Sequence, residues 1–157
     1  MDAIKINDLR VNLKAREWCK LPYPGHPKGC PNYGKKLTCP PEAPLIYEHF
    51  DLQDLYLIAV EFDLAKHILY MKEKHPNWTD RQARCVLYWQ NGVNKKLKEK
   101  CKAFCQLNPD MITTMCPEAM GVNVITTAKR CGLPIDLKPK NKVYKIALAG
   151  KKWISKK

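Results

Sequence analysis

Cysteine is the residue type most able to do chemistry in this 157-residue chain, and it occurs eight times, at Cys19, Cys30, Cys39, Cys85, Cys101, Cys105, Cys116 and Cys131. The beginning, Met1 to Asp8, has no apolar leader, and no later stretch approaches the roughly 18 uninterrupted apolar residues of a membrane span. The expectation is a soluble, cytoplasmic protein, in a reducing compartment where clustered thiols bind metal more often than they form disulfides. No two cysteines form the Cys-x-x-Cys knuckle of zinc ribbons, zinc fingers or thioredoxin-type sites. Three are followed by proline, at Cys30-Pro31, Cys39-Pro40 and Cys116-Pro117, where about 0.6 such steps would arise by chance from this composition. Proline biases the preceding cysteine toward extended backbone and steers the chain away from its thiolate. These three are therefore the first ligand candidates. Cys101 and Cys105, four apart, share one face of any helix that contains them. Cys101 also continues an apolar stripe and so suits a core position. Cys19 flanks the same proline-rich segment as Cys30 and Cys39. The candidate metal ligands are thus Cys19, Cys30, Cys39, Cys101, Cys105 and Cys116, with Cys85 and Cys131 read as packed thiols.

A thiolate donor set selects zinc, copper(I) or an iron–sulfur cluster and excludes magnesium and calcium. Histidine adds little: His26 lies in the proline-rich segment, while His49, His67 and His75 are scattered. The string Cys30-Pro31-Asn32-Tyr33-Gly34-Lys35-Lys36-Leu37-Thr38-Cys39-Pro40-Pro41 resembles the Cys-Pro-x-Tyr-Gly-Lys and Cys-Pro-Pro signature of a family of uncharacterised, predicted metal-binding proteins. A looser second similarity covers Glu118 to Val124 and Gly132-Leu133-Pro134. The resemblance implies metal binding, as an iron–sulfur cluster. Here Cys19 is separated from Cys30 by an insert-like run from Leu21 to Pro27, where the family places its first cysteine closer. Wide spacing without knuckles also favours a cluster over zinc, and 4Fe–4S is the leading cofactor, with zinc as the alternative. Four thiolates would make an electron carrier that needs a redox partner; three would leave an iron open to a small-molecule substrate. No dinucleotide fingerprint, phosphate loop, Gly-x-Ser-x-Gly or His-Glu-x-x-His occurs. Pairs such as Glu61 and Asp63, on one face of a presumed strand, allow a carboxylate site, and solvation of the strand end explains them as well.

Charge raises a second reading. Lys and Arg number 28 against 15 Asp and Glu, a formal charge of +13. Five lysines lie from Lys95 to Lys102 and eight from Lys138 to Lys157. Such blocks can displace counterions from phosphates, and Trp153 beside Lys151 and Lys152 could stack on a base. The alternative function is a zinc-stapled, basic RNA-binding module. A plain α+β domain with inert thiols is the third.

The elements that would position these groups form one domain spanning residues 1–157. Seven of the 12 prolines and three of the seven glycines fall between Pro22 and Pro44, where neither helix nor ladder can run far. So long a loop in a compact domain needs something besides backbone pairing to fix it, and a metal qualifies. Leu9, Val11 and Leu13 alternate with polar residues within Ile4 to Lys14, predicting a strand; Leu55 to Phe62 reads as a central strand and Val143 to Ala149 as a last one. Asp63 caps a helix ending before His75-Pro76. Thr79 and Gln82 have the form of a capping box opening one long helix to about Phe104, and Val124, Ala128 and Cys131 mark a short third helix ended by Gly132. The expected fold is α+β, a small sheet covered by helices on one face, with a long Pro-rich metal-binding loop.

Overall fold

The computed structural model of the protein describes residues 3–14, 45–135 and 141–152. The proline-rich segment expected to bind metal lies outside the described residues, as do Cys19, Cys30, Cys39 and Trp153. In chain order the elements are β1 (Ile4–Lys5), α1 (Ile46–His49), β2 (Phe50–Asp63), α2 (Leu64–Lys74), α3 (Asp80–Ala83), α4 (Gln90–Leu107), β3 (Met111–Thr114), α5 (Val124–Arg130) and β4 (Lys142–Lys152). Short 3₁₀ turns cover Val86–Tyr88 and Pro117–Met120. The four strands make one antiparallel sheet in the order β1-β2-β4-β3. Long β2 and β4 form its centre, in a register that sets Leu57 opposite Leu148 and Ile58 opposite Ala147.

The class is α+β as expected, but helices and turns cover both faces of the sheet instead of one. The cause is visible in β2. Leu57 and Ala59 point into one cluster with Phe50, Met120, Val122, Val124, Ala128 and Leu148. Ile58 and Val60 point into the other with Val93, Leu97, Cys101, Ala147 and Ala149. A strand buried on both sides has no polar alternation, which is why Leu55 to Val60 reads as one apolar run. Ala147 and Ala149 leave room for α4 to lie close on their face, while α5, α1 and the Pro117–Met120 turn close the opposite one. Fully burying side chains such as Leu97 and Phe50 contributes about 1.5–3 kcal/mol each.

The predicted caps form. The Asp63 carboxylate accepts the Lys66 N–H at 3.0 Å, and α2 ends before His75. Thr79 Oγ1 accepts the Gln82 N–H at 3.3 Å while Gln82 Oε1 accepts the Thr79 N–H at 2.9 Å. The helix they open stops after one turn, however, and the single long helix becomes α3 and α4. Cys85 takes extended backbone (φ −54°, ψ 128°) between them. The break lets Trp89 turn inward, where it stacks on Phe62 at 4.8 Å and its Nε1–H donates to the Arg84 carbonyl at 3.2 Å. Helical periodicity continues across the break, so pattern alone could not find it.

The N-terminal strand is also shorter than its alternation predicts. β1 holds two residues, and Val11 makes only an isolated bridge to Val122. From Arg10 the backbone bonds sideways: the Arg10 N–H donates to Thr127 Oγ1 and the Asn12 N–H to the Gly121 carbonyl, at 3.1 and 2.7 Å. Edge strand β3, Met-Ile-Thr-Thr, carries no alternation and was not predicted. Among the described residues no helix is long and apolar enough to cross a membrane.

Candidate metal centre

α4 sets Val93, Leu97 and Cys101 on one stripe, four residues apart, and presses that stripe on the sheet. Cys101 is 5% exposed. Burial pushes its thiol above the usual range, the neighbouring Cys105 adds to this, and a hydrogen bond with the Thr113 side chain opposes it. At neutral pH Cys101 is a protonated core thiol, and thiolate is the form a metal takes. Cys105, one turn on, is half-buried beside it.

Cys116 has different surroundings. It follows β3, is exposed, and its N–H donates to Thr114 Oγ1 at 3.2 Å while its carbonyl accepts the Ala119 N–H at 3.1 Å. Pro117 then opens the 3₁₀ turn, whose end is Gly121 at φ +92°, a left-handed conformation that side chains resist. Space is a second reason for glycine here. A Cβ on Gly121 would sit 2.8 Å from Leu13 Cδ2 and 4.0 Å from Leu45 Cδ2. Leu13 and Leu45 stand at the two ends of the segment that carries Cys19, Cys30 and Cys39. That segment therefore leaves and rejoins the described body at the turn that Cys116 begins.

Among the described residues no three His, Cys, Asp or Glu side chains converge into a set able to hold a metal ion. Cys101, Cys105 and Cys116 thus do not form a centre by themselves, and any site with three or more donors draws on residues beyond them. The family model for a predicted metal-binding protein, DUF2284, matches residues 2–150. The chain belongs to this family. Comparison with curated proteins and with solved structures returns no match.

For a DUF2284 chain the donors at hand suit a soft metal: they are thiols, and Cys116 is exposed next to the ends of the segment that holds three more. Of the two cysteines read as packed, Cys131 caps the end of α5 and packs on the core, its thiol raised by burial and then by Asp8, while Cys85 sits half-buried at the helix break. The carboxylate pair has structural work. Glu61 is held by the Lys142 ammonium at 3.0 Å and the Tyr144 hydroxyl at 3.1 Å, which keep its carboxyl below the usual range, and Asp63 is a helix cap.

Glu118, two residues beyond Cys116, escaped the sequence reading. Burial raises its carboxyl above the ordinary range against the opposing pull of its own N–H and of Lys145. Its position in the turn, between buried Pro117 and buried Ala119, is the signal that marks it, and this exists only in three dimensions. Of the expected nucleic-acid residues, exposed Lys151 has its ammonium between Asp54 at 3.6 Å and Asp110 at 3.7 Å. Lys152 is exposed at the end of β4. A groove of about 330 Å³ lies at the opposite edge of the sheet from β3, lined by Tyr56, Ile58, Lys100, Phe104 and Leu107 among others, and no described cysteine lines it.

Proposed function

We propose that this protein holds a 4Fe–4S cluster on cysteine thiolates and uses it for electron transfer or for cluster-based chemistry on a small molecule. The observation that carries the reading is the meeting of Leu13 and Leu45 on Gly121, beside the turn opened by Cys116. Cys19 is five residues from Lys14 and Cys39 six from Leu45. At about 3.3–3.6 Å per extended residue, chain length keeps Cys19 within roughly 18 Å of Lys14 and Cys39 within roughly 22 Å of Leu45. Cys19, Cys30, Cys39 and Cys116 are the proposed ligands. Exposure suits Cys116 to the role, although its backbone before Pro117 (φ −127°, ψ 60°) is not the extended one expected of a Cys-Pro step, whereas burial and a raised thiol set Cys101 apart.

When bound, such a cluster supplies one-electron transfer. The chain's own part is to hold the ligands in place. The Pro117–Met120 turn packs Ala119 and Met120 into the core and so anchors Cys116 to a rigid body.

Anaerobic purification followed by iron, sulfide and zinc analysis tests the reading. Iron and labile sulfide in near-stoichiometric cluster amounts, lost in Cys30→Ser, Cys39→Ser and Cys116→Ser but kept in Cys101→Ser, are the expected result. Stoichiometric zinc would replace the cluster with a structural staple. Full metal retention in Cys30→Ser and Cys39→Ser would overturn the ligand set.

A further inference from the structure

The stretch from Leu64 to Leu107, comprising α2, α3, the Val86–Tyr88 turn and α4, holds ten lysines and arginines against Glu73, Asp80 and Glu99. That excess of seven is more than half of the chain's +13. Lys72 is paired with Asp80, and the Lys100 ammonium donates to the Ala59 carbonyl at 2.7 Å; the other eight basic residues are exposed. The same stretch carries an aromatic stack. The His75 and Trp78 rings lie 3.9 Å apart and 11° from parallel, and Tyr88 continues the series 5.2 Å from Trp78. Tyr88 is 55% exposed, beside Leu87 at 49%. It reaches this position because α3 stops at Ala83 and the chain makes a 3₁₀ turn before α4.

We propose that this helical face binds single-stranded nucleic acid. A base stacks on the outer side of Tyr88 and lengthens the His75–Trp78–Tyr88 series, while Lys74, Arg81, Lys95 and Lys96 track the phosphates. An acidic protein would satisfy the charges but leaves half-exposed planar rings without a use. A duplex keeps its bases in its own stack and offers the rings none. The Lys151 ammonium, by contrast, already has Asp54 and Asp110 as ion-pair partners at 3.6 and 3.7 Å. The proposal is independent of the metal and of its ligands.

Fluorescence anisotropy of the full-length protein with a labelled single-stranded 12-nucleotide oligouridylate, its deoxy counterpart and a duplex of equal length tests it. Single strands should bind more tightly than duplex. The logarithm of affinity should fall with the logarithm of salt with a slope of about −2 to −3, the response to roughly three or four phosphates. Tyr88→Ala should weaken binding about tenfold or more, Tyr88→Phe should restore most of it because the ring remains, and the double variant Arg81→Ala with Lys95→Ala should flatten the salt slope. Lys151→Ala should change little. Circular dichroism melting of each variant confirms folding. Full affinity in folded Tyr88→Ala, tighter binding of duplex, loss of binding in Lys151→Ala, or equal competition by polyglutamate would each overturn the proposal, the last in favour of an acidic protein partner.

Discussion

Two thiols within one chain show how burial decides chemistry at the residue scale. Cys101 and Cys116 are the same side chain, yet one is a core group among Val60, Leu97 and Ala149 and the other belongs to an exposed residue before a proline. His67 obeys the same rule. Its ring packs on Phe62 at 5.5 Å, Nε2 is buried with no hydrogen-bond partner among the described residues, and burial holds its pKa below the ordinary value. The folded state then refuses a proton that the unfolded chain accepts near pH 6.5. Stability associated with His67 is complete above about pH 6.5 and declines as pH falls toward the lowered folded value. Urea unfolding at pH 7.5 and 5.5 should show a drop in midpoint that His67→Leu reduces. An equal drop in the variant would assign the effect to other groups.

Elements were legible where local chemistry dominates. The caps at Asp63 and Thr79, the proline after His75 and the stripe of Val93, Leu97 and Cys101 are short-range features, and each appears where the residues indicate. Legibility failed where a distant partner outweighs local preference. Trp89 stacks on Phe62 and breaks the helix that periodicity would continue. Gly121 and Thr127 draw the backbone of Arg10 and Asn12 away from the sheet and shorten β1. The Gly121 turn is where this matters most. Gly121→Ala would combine a left-handed conformation with a 2.8 Å contact to Leu13, and should destabilise by about 2–4 kcal/mol. Chemical denaturation measures that loss. Because Leu13 and Leu45 meet there, metal content of the folded variant should fall too, while Gly92→Ala, in α4 with open space around it, should leave both unchanged or gain slightly in stability.

For the whole molecule, the described residues alone build two core clusters, one on each face of the sheet. The body therefore has its own source of stability, and the proposed centre fastens a segment onto it. Stripping the metal with a strong chelator under anaerobic conditions should lower the melting temperature but preserve most of the far-ultraviolet helical and strand signal. Collapse of that signal would mean that the metal organises the core as well. The positive charge divides on the same scale: β4 spends Lys151 and Lys142 on neighbouring carboxylates, while the helical layer leaves most of its basic residues exposed.

The residues alone made thiols the donors to expect, since eight cysteines without Cys-x-x-Cys knuckles stand beside few histidines, and thiolates favour a soft metal whatever the fold. They likewise determined the α+β class and the ends of α2 and α5, which depend on caps, prolines and glycines acting within a few positions. Tertiary structure decided which cysteine is buried and which is exposed, that both faces of the sheet are covered, that Lys151 pairs with Asp54 and Asp110, and that residues 13 and 45 meet at one glycine. Each of these depends on groups far apart along the chain, and their proximity is set by packing, which no local pattern encodes.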